Sequence, residues 1–175
     1  MAAAPEIKTE RLLLRQFRSG DVDDVFAYSP DPEYGRFIPV PHPYELHHAE
    51  EFVAQAILRP VSDPMWAIVH DGRVCGAIEL DVDKLNARGE IHYAIARNLW
   101  RQGVTTEAAR AVVCYAFEEL QLRRIFARAD VRNIGSWRVM EKLGMKREGV
   151  LRSNRVVRDE SVDDMLYAIL RDEFP

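Results

Sequence analysis

The segment GEIHYAIARNLWRQGVTTEAARAVVCYAFEELQLRRIFARADV, residues 89–131, reads as a strand, a turn, a long helix and a second strand. Polar and apolar residues alternate over 89–96, which is the period of a strand with one buried face. Apolar residues then recur along one helix face over 104–120, and residues 123–131 return to a β-rich composition. A helix between two strands of one sheet returns the chain to the end where the first strand began. The two strands are therefore predicted to be parallel neighbours joined by a right-handed crossover.

The rest of the chain surrounds this unit with further strands and helices. The predicted strands are 11–17, a hairpin over 65–81 and a closing pair over 145–170, and the predicted helices are 19–29, 45–58 and 133–144. Five of the nine prolines lie in residues 30–44, which predicts a stiff, irregular loop. We therefore predict a single α+β domain over residues 1–175, in which a mixed, mostly antiparallel sheet of about seven strands is flanked by about four helices.

Composition argues against several classes of protein. Apolar residues make up 47% and charged residues 30% of the chain, as in soluble globular proteins. The net charge of −4 argues against nucleic-acid binding as the main activity. Cys75 and Cys114 form no Cys-x-x-Cys pair, and no ligand pattern surrounds His47 and His48, so we expect reduced thiols, a cytoplasmic location and no metal. We also expect neither a secretion signal nor a membrane span.

The turn before the long helix has the features of an anion-binding site. The first amides of a helix have no partner within the helix, and the helix dipole adds positive potential there. Gly103 leaves the backbone open to a ligand, and the first acid of the helix is delayed to Glu107. Thr105 and Thr106 add hydroxyl donors, and Arg101 adds a cation. From the residues alone, a plain glycine turn with a threonine cap is an open alternative.

Several ordered segments resemble one known superfamily. They are W-x-x-G-x-x-T-E-A from Trp100, YAFEELQLRRIFARAD at 115–130, N-x-x-S-x-R-V-M-E-K-L-G-M-K-R-E-G-V-L-R from Asn133, and D-M-L-Y-A-I-L-R-D-E-F at 164–174. With the opening IKTERLLLRQFRSGDVDDVF at 7–26, their order and gaps resemble the GNAT acetyltransferase superfamily. The closest resemblance is to its ribosomal-protein-alanine N-acetyltransferase (RimJ/RimL-like) branch. The resemblance implies an N-acetyltransferase that uses acetyl-CoA as cosubstrate.

The resemblance also implies where acetyl-CoA binds. In this superfamily the turn before the long helix holds the pyrophosphate through backbone amides. Carried over, the contacts are Trp100, Arg101, Gln102, Gly103, Val104, Thr105 and Thr106. Thr105 departs from the motif, which has a smaller residue there. The strands at 89–96 and 124–131 are implied to splay apart in a V that receives pantetheine, with Asn133 beside it; an N-cap role for Asn133 is open as well.

Three residues are implied in the chemistry. Glu90 takes the place of a base that acts directly or through water, and His92 lies on the same strand face, roughly 6–7 Å along, where it could relay a proton. Relatives often have glycine at the His92 position. Met140 occupies the place of the family's thiol-side tyrosine, so the resemblance assigns that role to Ser136, one helical turn earlier. The alternatives are a solvated charge for Glu90, a partly buried polar residue for His92 and a helix-surface serine for Ser136.

The expected reaction is direct acetyl transfer in a ternary complex to a primary amine, with a protein N-terminal α-amine as the leading acceptor. A small-molecule amine, such as a polyamine, an amino acid or an antibiotic, is the alternative acceptor. A non-catalytic acyl-CoA-binding module is the alternative from another class. The acceptor site is expected to involve Tyr28, Arg36, Phe37, His42 and Tyr44. A homodimer is expected by analogy alone.

Overall fold

The structure, a computed structural model, describes residues 4–174; residues 1–3 and 175 of the predicted domain lie outside the described residues. Its strands are β1 (Ile7–Lys8), β2 (Leu12–Arg15), β3 (Met65–His70), β4 (Arg73–Asp83), β5 (Arg88–Ile95), β6 (Arg124–Asp130), β7 (Lys146–Val157) and β8 (Glu160–Leu170). They form one sheet in the order β1-β2-β3-β4-β5-β6-β8-β7. Of these neighbours only β5 and β6 are parallel, which confirms the predicted crossover pair and the α+β class.

Within residues 4–174, four α-helices accompany the sheet. They are α1 (Val22–Tyr28), α2 (Leu46–Ile57), α3 (Val104–Glu118) and α4 (Ile134–Lys142). The predicted buried stripe of α3 is confirmed from Ala109 to Phe117. Residues 30–44, all of them described, form no helix or strand, as their prolines predict. None of the helices in residues 4–174 is both long and apolar enough to cross a membrane.

Two predictions differ from the structure in detail. In the described part of the chain the sheet has eight strands rather than seven, because Ile7–Lys8 pairs with β2. Two residues are too few to show a periodicity. The strand predicted over 11–17 ends at Arg15. The Arg15 guanidinium binds the buried carboxylate of Asp21 through two hydrogen bonds of 2.8 Å, which closes the chain into a tight turn.

Helices lie on both faces of the sheet. Trp66 and Ile78 pair across β3 and β4 and therefore share a face. The Trp66 ring packs edge-on against Tyr115 of α3, with centroids 5.7 Å apart. Glu79, the next residue, points to the opposite face, where Arg59 from the segment after α2 binds it at 3.1 Å. The sheet thus separates α3 from the end of α2.

The parallel pair comes apart partway along its length. β5 and β6 share only three residue pairs, and the last of these joins Glu90 to Phe126. Beyond that pair β5 stays paired with β4 and β6 stays paired with β8, but β5 and β6 no longer pair with each other. A V-shaped opening results between residues 91–95 and 127–130, which we call the fork. It confirms the predicted splay.

Candidate active site

The turn that precedes α3 has the conformation of an anion-binding site. Gly103 is the N-cap residue with φ 80°, in the left-handed region that favours glycine. The amides of residues 103–106 donate to no backbone or side-chain acceptor among residues 4–174. The Trp100 indole donates to the Ile95 carbonyl oxygen at 3.0 Å, which ties the turn to the end of β5 beside the fork. Four unpaired donors at a helix N-terminus suit a phosphate group.

Arg11 adds a cation to this turn that sequence reasoning missed. Its guanidinium binds Glu107 at 2.7 Å, and its Nη1 donates to the Gln102 carbonyl oxygen at 3.1 Å. Thr9 Oγ1 also donates to Glu107, at 2.6 Å. Burial opposes ionisation of Glu107, but the bonds from Thr9 and Arg11 outweigh it and lower its pKa. The first acid of α3 is therefore neutralised by a residue 96 positions earlier in the chain, and no local pattern predicts that contact.

A pair of hydroxyls lies where β5 faces α4. Asn133 caps the helix, since its Oδ1 accepts from the Ser136 amide at 3.2 Å. The Tyr93 hydroxyl donates to the Ser136 carbonyl oxygen at 3.0 Å, and Ser136 Oγ lies 3.4 Å from the same phenol oxygen. Burial raises the pKa of Tyr93, so the phenol stays protonated. Met140 is only 1% exposed and belongs to the core.

Tyr93 is the second residue that sequence reasoning missed. The alternation along β5 assigns it to the face opposite Glu90 and His92, and the contact with Ser136 agrees with that assignment. The alternation does not reveal the partner of Tyr93 on α4. Its contact with Ser136, a predicted site residue, is seen only in the three-dimensional structure.

The opposite face of β5 carries a cluster of charges. Glu90 accepts two hydrogen bonds of 2.7 Å from Arg128 of β6. His92 Nε2 lies 3.3 Å from Asp81 Oδ2 and 3.8 Å from Glu90 Oε1. Arg59 binds Asp81 at 2.6 Å as well as Glu79. We call this set the charge cluster: Arg59, Glu79, Asp81, Glu90, His92 and Arg128.

The charge cluster is negative when His92 is neutral, because three carboxylates share two guanidiniums. Burial raises the pKa of Glu79, although Arg59 lies 3.1 Å away. Glu90 and His92 are thus brought together on one face, as their spacing predicts. Neither is an isolated side chain: Glu90 binds Arg128, and His92 lies beside Asp81.

The five residues predicted for the acceptor site fall into separate groups. Tyr28 is buried, its ring lies 5.0 Å from that of Tyr34, and its hydroxyl has no hydrogen-bond partner among the described residues. Tyr44 is half-buried and packs against His48, with ring centroids 5.5 Å apart. Arg36 lies over the Phe37 ring at 5.3 Å, and His42 is exposed.

The loop between α1 and α2, which carries all of these residues except Tyr28, is held by the last hairpin. Arg158 donates to the Gly35 carbonyl oxygen at 2.8 Å, and Arg155 donates to the Phe37 carbonyl oxygen at 3.3 Å. Arg155 is itself bound to the buried carboxylate of Asp164 at 3.0 Å. The hairpin of β7 and β8 therefore fixes part of the loop between α1 and α2.

Comparison with known proteins agrees with this geometry. Residues 11–146 match the acetyltransferase (GNAT) domain family. The uncharacterized N-acetyltransferase YnaD of Bacillus subtilis is 31% identical over 172 residues, which cover 96% of this chain and 98% of the relative. A second Bacillus subtilis protein, named "Putative ribosomal N-acetyltransferase YdaF", is 37% identical over 108 residues, 61% of this chain and 59% of the relative.

A solved structure gives the same answer for the fold. The GNAT-family acetyltransferase from Bacillus anthracis has a TM-score of 0.87 at 30% identity, over 97% of this chain and all of the other. The family match includes the turn before α3, the fork and α4. The chain therefore belongs to the GNAT acetyltransferase family and is an N-acetyltransferase.

Proposed function

We propose that the protein transfers the acetyl group of acetyl-CoA to the N-terminal α-amine of a protein, directly and within a ternary complex. The observation that carries the proposal is the set of unpaired amides at residues 103–106, which lies beside the fork. These donors are matched to a pyrophosphate. The fork beyond them is lined by strand edges without a strand partner, which suits an extended amide-containing chain.

The donor site uses both features. The pyrophosphate is held by the amides of Gly103, Val104, Thr105 and Thr106, with Trp100, Arg101, Gln102 and Arg11 around the turn. Pantetheine lies between β5 and β6, beside Asn133. Thr105 is half-buried at the start of α3, where its hydroxyl is available to a phosphate oxygen. A thioester bound in this way carries its acetyl carbon into the fork.

The chemistry then divides between the two faces of β5. The acceptor amine loses a proton on the face that carries Glu90 and His92, and the leaving sulfur gains one on the face where Ser136 pairs with Tyr93. Oriented groups of this kind act without a covalent intermediate. Burial raises the pKa of Cys75 to about 11, which makes this thiol a poor nucleophile.

The acceptor is proposed on two grounds. YdaF, which is named as a putative ribosomal N-acetyltransferase, is 37% identical over 61% of this chain. The irregular loop at residues 30–44 and the hairpin that holds it can form one side of a binding site for an extended peptide N-terminus. The candidate contacts are Tyr28, Arg36, Phe37, His42 and Tyr44. These grounds favour the RimJ/RimL-like branch and a cytoplasmic substrate.

The test is an acceptor panel. Purified protein with acetyl-CoA is offered peptides with different first residues, polyamines, single amino acids and amine antibiotics, and release of free CoA is followed against hydrolysis without acceptor. We expect transfer to a subset of peptides, chosen by their first residues. Transfer to small amines alone would contradict the proposed acceptor. Calorimetry with acetyl-CoA separates this outcome from a module that binds the donor and transfers nothing.

A further inference from the structure

The ion pair between Glu90 and Arg128 lies where the fork opens. Glu90 belongs to the last residue pair that joins β5 to β6, and Arg128 lies two residues beyond that pair on the same face. Arg128 Nε and Nη2 each donate to a different oxygen of Glu90, both at 2.7 Å. The Glu90 side chain is only 12% exposed. Both carboxylate oxygens are therefore committed to a partner within the protein.

Each oxygen of this carboxylate already accepts a charge-assisted hydrogen bond from Arg128. Taking the proton of an amine would require one of these bonds to break. The hydrogen bonds to Glu90 also raise the pKa of Arg128, so the guanidinium keeps its charge. The pair is consequently a fixed arrangement of charges. The group that accepts the proton of the amine has to be another residue on this face.

His92 is the titratable group next to the pair. The charged groups that face it are Glu79 and Asp81 from β4, Glu90 from its own strand, Arg128 from β6 and Arg59 from the segment after α2. His92 Nε2 is buried and makes no hydrogen bond with any described residue, although the whole side chain is 36% exposed. Because Asp81 and Glu90 lie nearest to Nε2, a neutral imidazole keeps its proton there. Nδ1 is then the nitrogen that is free to accept a proton.

We propose that Arg128 is a positioning residue that holds Glu90 as a fixed counterion, so that His92 Nδ1 takes the proton of the attacking amine. This inference rests on the proposed acetyl transfer. In that transfer the nitrogen–carbon bond forms and the carbon–sulfur bond breaks. One proton passes from the amine to His92 and then to solvent, and the departing thiolate takes up another. Loss of Arg128 frees the Glu90 charge, which then stabilises the imidazolium, so His92 stays protonated, and unable to accept the amine proton, up to a higher pH.

The chain provides a matched control for Arg128. Arg124 lies on the same strand and binds Glu148 through two hydrogen bonds of 2.6 Å, but it lies in the paired segment, outside the fork. Both pairs are bidentate, and both arginines are partly exposed. An effect seen with Arg128→Gln and not with Arg124→Gln therefore reports on the position of the pair rather than on its loss.

The experiment measures kcat/KM from pH 5.5 to 9 with the acceptor peptide that the panel identifies. His92→Gln is expected to lower it by about 100-fold and to remove the acid limb. Arg128→Gln is expected to move that limb up by about one pH unit, and so to lower kcat/KM about 10-fold on its acid side, since an unneutralised carboxylate favours the imidazolium. Arg128→Lys keeps a positive charge beside Glu90, so its acid limb is expected to lie between that of the wild type and that of Arg128→Gln. Glu90→Gln moves the limb to lower pH, and Arg124→Gln leaves rate and profile unchanged.

A second readout needs no turnover. The ring nitrogen chemical shifts of His92, assigned with His92→Gln, report which nitrogen carries the proton, and we expect Nε2. A neutral ring protonated at Nδ1 overturns the inference. So does the case in which Glu90→Gln abolishes transfer and removes the acid limb while His92→Gln keeps both, although acetyl transfer itself then stands. A wild-type protein that binds acetyl-CoA but acetylates no amine refutes the proposed function, and the inference with it.

Discussion

The two faces of β5 present different kinds of chemical groups. On the face toward α4, Tyr93 and Ser136 meet as neutral hydroxyls, and the nearby turn presents backbone amides. On the other face, Glu90 and His92 belong to a cluster of full charges. The first face thus depends on where the main chain runs. The second depends on which side chains stand opposite one another.

This difference predicts two kinds of sensitivity. A site made of amides tolerates changes in neighbouring side chains but fails when the backbone conformation changes. A site made of ion pairs keeps its backbone after a substitution, but its protonation states shift, because removing one partner leaves the other uncompensated. Donor binding and pH dependence should therefore be separable by mutation.

The largest effect is expected at the backbone of the donor side. Gly103→Val places a β-branched residue at φ 80°, a strained conformation that costs about 1–3 kcal/mol of stability, and it moves the amides of the turn. We expect the Kd for acetyl-CoA to rise on the order of 100-fold, which corresponds to about 2.7 kcal/mol of lost contacts. Titration calorimetry with acetyl-CoA measures this Kd.

The control for this variant is Gly72→Val. Gly72 has φ 77° in the turn between β3 and β4, and a Cβ there meets nothing within 4 Å. It should lose similar stability without a change in donor affinity. Equal losses of affinity in the two variants would mean that the turn at Gly103 has no special role.

A smaller effect is expected from the hydroxyl pair. Tyr93→Phe removes the phenol that contacts Ser136, and we expect kcat to fall about 10-fold while the KM for the amine stays constant. Because the two hydroxyls touch, Tyr93→Phe and Ser136→Ala should be non-additive in a double-mutant cycle. Additive effects in stopped-flow or steady-state rates would show that the two act separately.

On the charged face, Asp81→Asn is expected to change the pH profile more than the rate. Asp81 lies 3.3 Å from His92 Nε2, so its loss disfavours the imidazolium and moves the acid limb to lower pH, with a rate change of about threefold. Asp83→Asn, two residues along β4 and bound to Asn86 and Arg88 instead, is the control. A profile that moves equally in both would contradict the special position of Asp81.

The smallest expected effect concerns stability. The bonds from Thr9 and Arg11 hold the pKa of Glu107 below its unfolded value, so this contribution is complete above roughly pH 5 and is lost as pH falls through the folded pKa. Glu107→Gln should therefore cost about 0.5 kcal/mol at pH 7 and progressively less as the pH falls below about 5. Urea unfolding at pH 7 and at a series of lower pH values measures the decline.

The two faces also differ in how far the sequence predicts them. Period-two alternation suffices to assign Glu90 and Tyr93 to opposite faces, and the glycine before α3 indicates the turn that we propose as the phosphate site. These signals are local. The partners are not: Arg11 contacts Glu107 across 96 residues, and Arg128 meets Glu90 across 38. Such contacts depend on strand register and on the point at which the fork opens, and neither leaves a trace in a short window of sequence.

The fork also divides the sheet. Three residue pairs join β5 to β6, so the strands from β1 to β5 and those from β6 to β8 form two half-sheets that pair over a short stretch. In the proposed complex, an extended molecule that pairs with both edges supplies the missing hydrogen bonds and completes the sheet. Its binding is therefore expected to make the folded protein more resistant to unfolding as well as to fill the site.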